Sequence, residues 1–223
     1  HLDEIRNLMP LVEENIALNT LGTIIHETLE ALYKPFINTF LTAPNLEKML
    51  SLANEEVLQQ FKAIYKEGEV KKGKNLLAFE VAKRNVFNFL MEEKKQIENG
   101  DAIKILALET PLERILKDER LPFPIKIAGN VDRIEIRNNK IRIIDYKTGK
   151  VDKNNVQLKD WTGLTLELKN DKIIQLLCYA FMYQEQTNGL EMEAGIISFK
   201  NMKGGFLPFG LKQEKEFCTT ITP

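Results

Sequence analysis

The sequence is short of what several common protein classes need. It has only two cysteines in 223 residues, Cys178 and Cys218, and no Cys-x-x-Cys pair. That excludes a disulfide-built scaffold and a cysteine zinc site, and reads as two reduced, packed thiols. No uncharged run exceeds 12 residues, short of the roughly 20 that a membrane-spanning helix needs. With no signal-peptide pattern either, no membrane association and a cytoplasmic location are expected. Repeats and low-complexity tracts are missing. The formal net charge is only −1, which excludes a globally basic surface. Charge is nevertheless uneven: residues 1–50 hold 3 basic and 7 acidic side chains, whereas residues 126–172 hold 11 basic and 7 acidic. A polyanion would meet a local patch. The length suits one large domain, or a domain with a helical annex. The start at His1 and the stop at Pro223 read as a piece of a longer protein.

What is present centres on residues 129–149, GNVDRIEIRNNKIRIIDYKTG. Two isoleucine-rich runs flank Asn138-Asn139, and Asn tolerates the positive φ of a tight turn, so the stretch reads as a two-residue hairpin. In that register Arg137 faces Lys140, Ile136 faces Ile141, Glu135 faces Arg142, Ile134 faces Ile143 and Asp132 faces Asp145. Because side chains alternate between faces, Ile134, Ile136, Ile141 and Ile143 share one face with Asp132, Asp145 and Lys147. The other face carries Glu135 and Arg142, read as a solvated cross-strand ion pair. Directly opposed residues have Cβ atoms about 4.5–5.5 Å apart. Two carboxylates at that distance need a proton or a cation between them. With a lysine two residues on, they suit a divalent-metal site that handles phosphate. A strand-end Asp-x-Lys is also common by chance, and Asp145 can equally open a turn.

Around the hairpin, apolar spacing predicts a helix from Leu21 to about Phe40, with Pro35 kinking or ending its first part. Further helices are predicted over 45–67 and 74–99, the latter stopped by Asn99-Gly100. The second of these carries the stripe Leu77, Val81, Val86, Phe89 and Leu90. Residues 1–20 form a lead-in, and Lys71, Lys72 and Lys74 form a solvated turn or a backbone contact. A strand is predicted at 102–109, followed by Pro111 and a polar segment to Arg120. Residues 150–171 read as a long polar loop containing Trp161. Asp171 then caps a helix to about Thr187, with Gln175 and Tyr179 one turn apart. Strands follow near 193–200 and 206–211. His26 has three readings: a satisfied histidine, a zinc-protease motif, or a metal neighbour. The protease reading fails, because HETLE ends in Glu30 where HExxH needs histidine.

Four segments in order, GTIIHETLE at 22–30, GNVDRIE at 129–135, IIDYKTG at 143–149 and QLLCY at 175–179, resemble the PD-(D/E)XK nuclease superfamily, in particular its RecB- and AddB-like branch. The resemblance implies an α/β (α+β) restriction-endonuclease-like core, a mixed central sheet flanked by helices, with an N-terminal helical insertion. It implies one nuclease domain over 1–223: a mainly helical part at 1–100 and a core at 101–223, joined by the helix at about 21–40. The implied activity is hydrolysis of a DNA phosphodiester, most simply as an exonuclease. Asp132, Asp145, Lys147, Gln175 and Tyr179 would be its catalytic residues. His26, Asp132, Asp145 and the Tyr146 carbonyl would hold Mg²⁺ or Mn²⁺. DNA is the implied partner, with a helicase domain or subunit elsewhere. Many AddB-like relatives carry an iron–sulfur cluster on four cysteines; two cysteines cannot supply it, so none is expected. Glu30 receives no role, and Glu109 reads as a plain strand-end carboxylate or as a group that supports the site from behind its ligands. An inactive module for DNA binding or subunit docking, and an RNA-directed nuclease, stay open as alternatives.

Overall fold

The computed structural model describes residues 20–64, 73–162, 164–165 and 168–221. The lead-in and lysines 71 and 72 lie outside the described residues. The chain divides into two compact units: residues 1–35 with 42–96, and residues 36–41 with 97–223.

The first unit is helical: α1 (residues 20–33), α2 (Ala43–Ile64) and α3 (Gly73–Glu98). Helix α1 buries Ile24, Ile25, Leu29, Leu32 and Tyr33. It gives way to a single 3₁₀ turn at Lys34–Phe36 instead of running to Phe40. Pro35 offers no N–H, clashes with the preceding turn and disfavours a helical Lys34. Helix α2 opens on a reciprocal cap, in which the Thr42 N–H donates to Asn45 Oδ1 (2.9 Å) and the Asn45 N–H to Thr42 Oγ1 (3.4 Å). Leu46, Met49, Ala53, Val57 and Phe61 form its buried stripe, and Phe61 meets Phe79 of α3 edge to face. In α3 the buried positions are Ala82, Val86, Phe89, Leu90 and Glu93, whereas Leu77, expected in the stripe, is 67% exposed. Tyr33 donates its hydroxyl hydrogen bond to buried Glu93.

The second unit is built on β1 (Ile103–Leu116), β2 (Ile125–Arg137), β3 (Lys140–Lys147), β4 (Gln157–Leu158), α4 (Asp171–Tyr183), β5 (Met192–Ser198), β6 (Phe206–Pro208), β7 (Gly210–Gln213) and β8 (Glu216–Cys218). Five strands form one mixed sheet in the order β1-β2-β3-β5-β6. β1, β2 and β3 are antiparallel neighbours, β3 and β5 run parallel, and α4 is the crossover between them. This is the α+β, restriction-endonuclease-like arrangement that the sequence led us to expect.

The β2–β3 turn has Asn138 at φ +50° and Asn139 at φ +66°, the left-handed pair a two-residue hairpin needs. Asn138 also ties the turn down: its Oδ1 accepts from the Ala102 N–H and its Nδ2 donates to Asp101. The ladder runs Arg137–Lys140, Ile136–Ile141, Glu135–Arg142, Ile134–Ile143 and Arg133–Ile144, as read from the sequence. Ile134, Ile141 and Ile143 are buried with Ile173, Leu176, Tyr179 and Ala180 of α4, and each of the isoleucine and leucine side chains contributes about 1.5–3 kcal/mol.

Several expectations need correction. β1 does not stop at Glu109 but runs on through Pro111; β1 is an edge strand, where a missing N–H is tolerated. The segment after β3 is not a plain loop. Val151, Val156 and Leu158 are buried, and β4 pairs with β7 in a second, three-stranded sheet. Asp171 is the first residue of α4 and not its cap, and the α-helix ends at Tyr183, before a 3₁₀ turn over Gln184–Gln186. The Glu135–Arg142 face is not solvated. Glu135 and Arg133 have no exposed surface and form an ion pair. Arg137 Nε lies 2.8 Å from Glu135 Oε1, while Arg142 turns to Glu193 at 3.3 Å. Three guanidiniums outweigh the penalty of burial and hold the Glu135 carboxyl below its ordinary pKa.

Gly195 lies where β5 meets β6. A Cβ there would stand 2.5 Å from the Leu207 carbonyl oxygen and 2.6 Å from the Phe206 ring. Backbone cannot swing aside like a side-chain tip, so Gly195→Ala should destabilise the fold by about 1–3 kcal/mol or more, read as a lower midpoint in urea unfolding.

Candidate active site

Strand alternation puts Ile141, Ile143, Asp145 and Lys147 on the α4 face of the sheet. The opposite face of β3 carries Tyr146, against Phe199, and Arg142, over the Phe206 ring. The apolar residues fix the register, and the polar ones take their places at the strand end because of it. Lys147 Nζ lies 2.7 Å from Asp145 Oδ2 and donates to Gln175 Oε1 at 3.2 Å. Gln175 Nε2 in turn donates to the Tyr179 hydroxyl at 2.8 Å. The i, i+4 spacing of Gln175 and Tyr179 sets them on one stripe of α4 above the strand. Four of the five expected catalytic side chains thus form one hydrogen-bonded line.

Asp132 stands beside it on β2. Its Oδ2 accepts the Tyr146 N–H at 2.6 Å, one step beyond the last paired residues, Arg133 and Ile144. Asp145 is almost fully buried, with the lysine as its counter-charge. The Tyr179 phenol is pushed up to about 12, first by burial and then by the negative charges of Asp145, Asp132 and Glu109, against the Gln175 hydrogen bond. It therefore stays neutral at any physiological pH. Gly129 makes room for it: a Cβ there would be 3.1 Å from Tyr179 Cε1.

His26 lies on α1 in the helical unit, half-buried, as does Glu30, which pairs with Lys34 at 3.7 Å. Glu109 belongs to the neighbourhood of Asp132. Its carboxylate and that of Asp132 bring ligand atoms within 4.8 Å of each other. The sequence marks it as a strand-end carboxylate but not as a neighbour of Asp132, because that depends on the β1–β2 register, which shifts at a bulge between Ile105 and Ala107.

Chemically, the arrangement offers hard carboxylate oxygens, one cation held in place and a neutral phenol on one face of a sheet. That set suits a divalent metal and a phosphate group. Among the described residues no helix is long and apolar enough to cross a membrane. No curated protein matches the chain. The model of the PD-(D/E)XK nuclease superfamily matches residues 1–216, nearly the whole chain. With that match beside the geometry of the β2–β3 strand end, the chain belongs to the PD-(D/E)XK nuclease superfamily.

Proposed function

We propose that this chain is a Mg²⁺- or Mn²⁺-dependent deoxyribonuclease, an exonuclease that leaves a 5′-phosphate and a 3′-hydroxyl and works beside a helicase domain or subunit. The observation that carries the reading is the Asp145–Lys147–Gln175–Tyr179 line with Asp132 alongside. Asp132 and Asp145 would hold the metal with the Tyr146 carbonyl. A strand residue's N–H and C=O leave on the same edge, and the Tyr146 N–H already meets Asp132. The His26 ligand role rests on the resemblance of its motif. When bound, the metal polarises the phosphoryl oxygen and lowers the pKa of the attacking water. Lys147, braced between Asp145 and Gln175, presents a fixed positive charge to the charge that develops on the phosphorane. Gln175 keeps that ammonium from swinging away, and Tyr179 anchors Gln175. The exonuclease and helicase assignments rest on the RecB- and AddB-like pattern of the motifs.

Linear and covalently closed circular DNA, single- and double-stranded, incubated with Mg²⁺ or Mn²⁺, test this reading. The expected result is degradation of linear substrate with circles left intact. Cut circles would replace the exonuclease assignment by an endonuclease one. No cleavage with either metal, together with no heat on Mn²⁺ titration, would leave the inactive binding or docking module.

A further inference from the structure

Glu109 is a costly residue for the place it occupies. The pairs Leu108–Arg133 and Thr110–Val131 set it across from Asp132 on the neighbouring strand, and opposed like charges destabilise a sheet. Its backbone sits at φ +40°, a region that glycine or asparagine enters far more readily than glutamate. Glycine or asparagine at this position would remove both costs. The carboxylate is also aimed: Asn130 Nδ2 donates to Glu109 Oε2 at 2.7 Å. Its ligand atoms and those of Asp132 come within 4.8 Å of each other. A carboxylate has about four lone-pair sites on two oxygens, so the Asn130 contact does not use up its capacity to bind a cation. Glu109 also lies within electrostatic reach of the Tyr179 phenol, as Asp132 and Asp145 do.

We propose that Glu109 is a further carboxylate ligand of the divalent metal, binding it from the β1 side together with Asp132, with Asn130 as the residue that orients it. This rests on the metal-dependent reading above. A cation between the two carboxylates turns their repulsion into the attraction that holds the ion. It also gives the left-handed backbone at position 109 a purpose, since strain that its surroundings hold in place collects at ligand-binding sites.

The test is Mn²⁺ titration calorimetry on the wild type, Glu109→Gln and Asp132→Asn, with thermal unfolding of each in EDTA and in Mn²⁺. Glutamine keeps the shape and still accepts from Asn130 through its amide oxygen. Glu109→Gln should weaken Mn²⁺ binding at least about tenfold. Its gain in Tm on going from EDTA to Mn²⁺ should shrink in proportion to the lost affinity, and this gain is independent of its stability in EDTA. A Glu109 that serves only the fold gives the reverse pattern, with a lower Tm in EDTA and unchanged Mn²⁺ affinity, and overturns the proposal. If Asp132→Asn loses Mn²⁺ and Glu109→Gln binds it like the wild type, the proposal fails and the metal-dependent reading stands. If the wild type binds no Mn²⁺, both fall.

Discussion

Lys147→Ala should lower phosphodiester hydrolysis about 10²–10³-fold, the usual loss when one preorganised electrostatic group is removed from a transition state. The lysine is the only cation in the Asp145–Lys147–Gln175–Tyr179 line, and both its contacts, at 2.7 and 3.2 Å, hold the ammonium in one place. The loss should fall on kcat, with Mn²⁺ affinity kept. Asp145→Asn should abolish activity to at least the same extent and weaken Mn²⁺ binding as well. Removing the lysine leaves a nearly buried carboxylate without its counter-charge, so circular dichroism at the assay temperature must show that Lys147→Ala is folded. The double variant Asp145→Asn/Lys147→Met, which removes both charges, separates lost chemistry from lost fold. Activity in folded Lys147→Ala within a few-fold of the wild type would remove the lysine from the mechanism.

The largest effect on stability is expected at Glu135. It sits without exposed surface between Arg133 and Arg137, and breaking a buried ion pair from one side costs about 3–5 kcal/mol. For a chain of this size that is a fall in Tm of about 6–20 °C. Glu135→Ala takes the shared carboxylate from two guanidiniums, leaving Arg137 its longer contact with Asp101; Glu135→Gln keeps one acceptor oxygen for them and should lose less. The pH dependence follows from the sign of the shift. The native carboxyl titrates below its ordinary 4.5, so its contribution is complete above the unfolded value and disappears as the pH falls through the lower native one. Wild-type stability should therefore drop steeply below about pH 4.5, and Glu135→Gln should show a shallower drop over that window. Urea unfolding between pH 3 and pH 6 checks both.

Much of the core was legible because two periodicities did the encoding. The alternation of isoleucines on β2 and β3 specified the hairpin register to the residue, and with it which side chains share a face with Asp145. The Gln175–Tyr179 spacing on α4 was equally plain, since a helix admits one neighbour at i+4. What stayed hidden depends on partners far away in sequence. Arg133, Glu135 and Arg137 look like the wet side of an amphipathic strand, and only tertiary burial turns them into an interior network. Pro111 reads as a strand breaker until β1 is known to be an edge. Val151, Val156 and Leu158 are too widely scattered among polar residues to announce a buried segment, yet all three are core. Glu109 is the sharpest case. Its neighbour is 23 residues away, and a bulge no local pattern predicts sets the count between them.

The Asn138-Asn139 turn bears on how this gene can change. Asp132 and Asp145 each lie six residues from it, about 20 Å along the strand. Where Asp132 stands against β3, with its Oδ2 on the Tyr146 N–H, therefore depends on the number of residues in the turn as much as on their identity. A library of point substitutions at 138 and 139 should retain many working members with small losses. A library with one residue inserted or deleted there should retain almost none, since a one-residue slip carries the isoleucines off the core face and takes Asp132 off the Tyr146 N–H. Length tolerance, read by deep sequencing of such libraries, would thus mark the tip of this hairpin as intolerant as Asp132 and Asp145 themselves, although it lies at the far end of the strands from both.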